Sequence, residues 1–148
     1  MPKRTMATIL ALALPAAPAG AGAAERWQAV SRTATSVTGD VLFSSDRIVF
    51  KGGKSLGLTP AGTISRFEIN GQVVPGAVYR VTRPEDPKLV AGNRLCGSGS
   101  PVSYLVVTKP KPTYGDKAPR SLSVFTGDTP PFSAAATCGD YNYEASAP

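Results

Sequence analysis

Phe67-Glu68-Ile69-Asn70-Gly71-Gln72-Val73-Val74 is the stretch that decides the fold. Asn70-Gly71 lies between two short runs in which apolar and polar residues alternate. Both central positions of a type I′ turn need positive φ, which Asn and Gly supply at least cost, and that turn matches the twist of paired strands. The stretch therefore predicts a tight antiparallel β-hairpin.

The same grammar extends in both directions. Runs of four to eight residues rich in Val, Ile, Thr, Phe and Tyr alternate with clusters of Gly, Pro, Asn and Asp. Upstream, the candidate strands are 27–32, 36–43, 47–51, 55–58 and 63–69, with Gly52-Gly53 turning between two of them. Downstream they are 72–74, 77–83, 102–108, 121–125 and 140–144, with Pro75-Gly76 interrupting or bulging the chain. The run 102–108 is apolar on nearly both faces, which marks a central strand. No window carries apolar residues at helical spacing over ten positions, and 14 prolines and 15 glycines break long helices. Short strands at hairpin spacing predict an all-β domain: a small antiparallel β-barrel, with a β-sandwich as the alternative.

The first two dozen residues belong to a different regime. Lys3 and Arg4 give a positive start, 6–14 is apolar, and 16–24 is almost wholly Ala, Gly and Pro. This order is that of a secretory signal peptide. The apolar run is about half a membrane span, so no transmembrane segment is expected in the mature chain. Of two A-x-A sites, Ala21-Gly22-Ala23 is preferred, assigning 1–23 to the signal and 24–148 to one all-β domain. The expected address is a bacterial periplasm or the extracellular space. The formal charge of +6 includes Lys3 and Arg4, leaving +4 without a dense basic run. Nucleic acid is therefore not an expected partner, and the mature protein is read as a monomer.

Cys96 and Cys138 are an even pair in an exported chain and are expected to form a disulfide. Closing a loop of about 40 residues stabilises by about 4 kcal/mol through loop entropy. A redox-active pair is the weaker reading, because no C-x-x-C spacing is present. The chain has no histidine. Ser-His-Asp and Cys-His catalysis and His-ligated metals are thereby excluded. Lys54 and Ser55 adjoin on a strand, where neighbours face opposite ways, so they do not make a dyad. The reading is non-enzymatic, with no cofactor and no metal. Gly39-Asp40, Gly115-Asp116, Gly127-Asp128 and Gly139-Asp140 are read as turns and not as calcium ligands, since no Asp-x-Asp-x-Asp spacing groups them.

The strongest anomaly is the Lys109-Pro110-Lys111-Pro112-Thr113-Tyr114-Gly115-Asp116-Lys117 segment. Alternating Lys-Pro favours an extended polyproline II rod with a cationic face. Lys109, Lys111, Tyr114 and Lys117 are the candidate contacts to an envelope protein or an anionic surface. The competing reading is a solvated loop whose prolines resist edge pairing. Trp27, Phe43, Phe50, Phe67, Tyr79, Tyr104, Phe125 and Phe132 suit a filled core or a ligand-lining wall alike, and their small number favours a filled one. Tyr141 and Tyr143 share a face, as surface anchors or as a lid over the disulfide. The functions that follow are a protein-binding or inhibitor-like envelope module, an apolar-ligand carrier with a hollow barrel, or a structural envelope protein. Tyrosines exposed beside the basic loop would favour the module; an apolar cavity ringed by aromatics would favour the carrier.

Overall fold

Consecutive strands joined by tight turns can close on themselves only if the last pairs with the first. In the computed structural model, which describes residues 23–131, 133 and 136–146, they do so. Eight antiparallel strands form a closed barrel in simple sequence order. They are β1 Glu25–Ala29, β2 Val41–Ser44, β3 Arg47–Val49, β4 Ser55–Ile69, β5 Gln72–Glu85, β6 Val102–Thr108, β7 Pro119–Thr126 and β8 Gly139–Ala145. β1 closes the ring against β8, with Trp27 opposite Ala145 and Ala29 opposite Tyr143. The barrel, and not the sandwich, is the architecture. The leader assignment lies outside the described residues except for Ala23, and Phe132 is outside them as well.

The expected strand boundaries differ in three places. The segment 36–43 is not one strand: a wide helical turn, Ala34–Thr38, precedes β2. Thr35 and Ser36 hydroxyls donate to the carbonyls of Ser31, Arg32 and Thr33, and the Ala34 N–H donates to Ser31 Oγ. Such local side-chain bonds compete successfully with a sheet ladder. Gly39, at φ 61°, then turns the chain into β2. Conversely, 55–58 and 63–69 are one strand, as are 72–74 and 77–83. β4 absorbs Pro60 and Gly62 through two bulges, each placing one extra residue against β5.

Those bulges bend the β4–β5 hairpin back over the barrel. The Asn70-Gly71 turn forms as expected, with both residues at positive φ (51° and 73°). Its apolar residues cover the outside of the sheet. Phe67, Ile69 and Val74 pack with Val78, Tyr104, Val106 and Phe125 in a second buried cluster. At the tip, Asn70 Nδ2 donates to Ser121 Oγ (3.3 Å) and to Asn142 Oδ1 (2.9 Å), tying the hairpin to β7 and β8. β6 is buried on both faces in consequence. Val102 belongs to the inner cluster and not with Tyr104 and Val106, because a register shift separates Val102 from Tyr104.

Inside the barrel, Ile48, Leu56, Val81, Leu105, Leu122 and Val124 are at most 2% exposed. One end is sealed. The Ala34–Thr38 turn lies there, with Tyr143 Oη and Thr38 Oγ1 bonded at 2.7 Å. The 86–101 loop closes the same end. Asp86 accepts the N–H groups of Leu95, Cys96 and Gly97 at 2.8, 3.1 and 2.8 Å. Cys96 and Cys138 form the disulfide, Cα atoms 5.2 Å apart. Tyr141 and Tyr143 point inward, 3% and 1% exposed, with Tyr141 Oη donating to the Leu95 carbonyl (2.6 Å). They are core residues of the plugged end.

Candidate functional site

The opposite end is open. There β1 begins, β2 turns into β3, the long hairpin bends and β6 runs out into the Lys-Pro loop. A bowl of about 520 Å³ opens at this end, lined by Trp27, Phe43, Tyr79, Ala77 and Val107 below and by Glu25, Ser44, Ser45, Thr63 and Lys109 at the rim. That volume falls within the range of about 300–1,000 Å³ typical of small-ligand sites. The barrel is thus filled over its sealed end and hollow at its mouth, a division that the aromatic count alone did not disclose.

The floor is an aromatic stack. Trp27 lies on Phe43 with centroids 4.5 Å apart and planes inclined by 16°, and Tyr79 meets Phe43 edge-on at 5.3 Å. Trp27 and Tyr143 also approach to 5.7 Å, so the bowl rests on the packed core. This wall is rigid because β1, β2 and β5 hold it by strand pairing on both sides. Burial raises the Tyr79 hydroxyl above its ordinary pKa. Among the described residues that hydroxyl has no hydrogen-bond partner.

The rim is polar in an ordered way. Glu25 accepts a bond from Trp27 Nε1 (2.8 Å) and pairs with Arg120 Nε at 3.2 Å. The Arg120 bond is the main reason that the Glu25 carboxyl titrates below its ordinary value, against the opposing effect of partial burial. Lys109 lies on the same rim, and among the described residues it makes no ion pair.

The Lys-Pro loop borders this mouth, but not as a straight rod. It turns at Tyr114-Gly115, where Asp116 Oδ2 accepts the Thr113 N–H at 3.0 Å and its hydroxyl at 2.5 Å. Gln72 exchanges two bonds with the Lys111 backbone, at 2.8 and 3.1 Å, and the Lys117 N–H donates to Glu144 (2.9 Å). Pro110 is buried. Of the four candidate contacts, Lys109 joins the mouth, Lys111 lies against the hairpin, Lys117 stands beside Glu144, and Tyr114 is fully exposed at the turn. The inward tyrosines of β8 leave Tyr114 without the neighbouring tyrosine patch that the module reading anticipated.

Trp27, Phe43 and Tyr79 stand in the sequence among eight aromatics that suit core or wall alike, and nothing there adds Glu25 to them. Their common signal is inward-facing aromatics near one end of neighbouring strands, legible only once strand order is known. No family model matches this chain, and no curated protein or solved structure is significantly similar to it. Among the described residues no helix is long and apolar enough to cross a membrane, and no group of three His, Cys, Asp or Glu forms a metal site.

Proposed function

We propose that this is an exported, non-enzymatic barrel that holds a small, largely apolar molecule in its open mouth. The observation that carries the reading is the aromatic bowl: a rigid floor of Trp27, Phe43 and Tyr79 under a ring of polar groups. Small-molecule sites favour concave apolar walls with a few placed polar groups. The disulfide supports an oxidising compartment, periplasmic or extracellular, for a chain of this size. The protein acts as a monomer in this reading, since the eight strands close on themselves, with β4 beyond Leu58 paired to β5 on one side.

Trp27 is the sole tryptophan and borders the bowl stacked on Phe43, 1% exposed, so its emission senses occupancy through that stack. Titration with 1-octanol is expected to shift Trp27 emission saturably in the millimolar range or below. Ala77→Phe, which fills part of the bowl, is expected to abolish the response while the thermal transition persists. A wild-type signal that never saturates refutes the reading. Contact between the loop and an anionic envelope partner is a second reading, supported by the full exposure of Tyr114 between Lys111 and Lys117. Pull-down from an envelope fraction tests it: retention unchanged by Lys111→Ala with Lys117→Ala rules it out.

A further inference from the structure

We infer that the mouth takes an amphipathic carboxylate, with its apolar body on the Trp27–Phe43–Tyr79 floor and its anionic head at Lys109. The inference rests on the mouth being a binding site and adds which chemical class enters it. Three charged side chains border or approach the rim. Glu25 and Arg120 are committed to each other, and Glu25 also accepts the Trp27 indole N–H. Lys109 is exposed and makes no ion pair among the described residues, though its charge helps to lower the Glu25 carboxyl; Glu25, Arg120 and Lys109 together leave the rim with a net charge of +1.

The neutral groups accommodate the same head group. The Tyr79 hydroxyl has no hydrogen-bond partner among the described residues, and neither has Thr63 or Ser45, although all three line the bowl. An ammonium donates hydrogen bonds and cannot accept them, while hydroxyls serve as donor or acceptor. A carboxylate accepts from both kinds of group, and bonds to an ionised acceptor are the stronger class. A cationic ligand would meet Lys109 with like charge, and the one carboxylate nearby is already paired. An uncharged ligand would leave the Lys109 charge unused.

Other hollows do not share this character. The one beneath the hairpin tip is lined by Arg66, Glu68 and Asp140, and the one beside Lys117 by Gln28 and Glu144, without an aromatic floor. Among the described residues, an aromatic floor and an unpaired lysine meet at the mouth, whereas the hollow at Lys111 has Val73, Val74 and Pro112 but no aromatic wall.

Octanoate, 1-octanol and octyltrimethylammonium have matched tails and differ in head charge, and each is titrated by calorimetry and Trp27 emission. Octanoate is expected to bind, and Lys109→Gln to weaken it about two- to fivefold, as an exposed charge pair would. The octanol affinity should be unchanged in the same variant. Raising salt from about 20 mM to about 300 mM should weaken octanoate alone, because an exposed pair is screened. Equal octanoate affinity in wild type and Lys109→Gln overturns the head-group assignment while leaving the mouth as a binding site. Parallel loss of octanol affinity also overturns it, since Lys109 would then act on the shape of the bowl. Tighter binding of the ammonium does the same. If none of the three binds, the assignment falls together with the reading on which it rests.

Discussion

Replacing Gly76 by Ala tests the bend that folds the hairpin over the barrel. Gly76 does not occupy the left-handed region, so alanine's backbone is tolerated there. Space is the obstacle. A methyl at this position would lie 2.7 Å from Val106 Cγ1 and 3.4 Å from both Phe67 Cβ and Thr108 Cγ2. Carbon atoms rest at about 3.5–4.0 Å, so the closest approach is short by about 1 Å. Val106 is fully buried, and a β-branched side chain is stiff at χ1, so it does not swing aside. Overpacking of this kind costs about 1–3 kcal/mol. Relief of glycine's backbone entropy returns about 0.5–1 kcal/mol. The net expectation is a loss of about 1–2 kcal/mol, read from urea unfolding followed by Trp27 emission with the disulfide intact. Val106→Ala alone is expected to cost about 2 kcal/mol by emptying buried space. In the double variant the added methyl occupies part of the space that Val106 vacates. The pair should therefore fall short of additivity by about 1 kcal/mol or more. Strict additivity, or a Gly76→Ala protein as stable as wild type, would refute the close approach of β5 to β6.

Thr108 Oγ1 is buried without a hydrogen-bond partner among the described residues. Thr108→Val keeps the shape and removes the unpaired hydroxyl, so stability is expected to hold or rise by about 1 kcal/mol in the same urea assay; a loss above that size would show that the hydroxyl is satisfied. Alkaline pH should weaken the sealed end. Burial, with Asp86 and Asp140 adding to it, raises Tyr141 from 10.0 to about 12, and burial raises Tyr143 as well. An acid whose folded pKa is raised ionises first in the unfolded chain, so stability is intact below about pH 10 and falls as pH rises toward 12. At about pH 11 the expected loss is about 1.4 kcal/mol for each of the two tyrosines. A urea midpoint unchanged between about pH 9 and about pH 11 would contradict their burial.

Several elements were legible because the signal was local. Asn70-Gly71 has one favoured conformation between alternating strands, and the all-β class follows from spacing repeated along the chain. The disulfide was legible for another reason, since two cysteines in one chain leave a single possible pairing. What escaped depends on which surfaces meet. Phe67, Ile69 and Val74 alternate like any core-facing strand, and nothing in that pattern says that they cover the outside of β6. The two apolar faces of 102–108 were the trace of that cover, read as centrality alone. Tyr141 and Tyr143 also alternate correctly for either face. Only the register against β1 and β7 turns them inward. The mouth was hidden for the same reason: Trp27, Phe43 and Tyr79 come from three strands, and their meeting depends on the order of all eight.

The ring also imposes a timetable on the growing chain. Every strand pairing but one joins neighbours in sequence, so each can form as soon as its second strand emerges. The exception is β1, which is made first and must wait for β8, made last. Until then Trp27 lacks Tyr143 and Ala145, and β1 presents an unpaired edge that can seek other chains. The residue that floors the mouth of the finished barrel is thus among the last to be enclosed, and a chain truncated before Gly139 would leave its β8 side open.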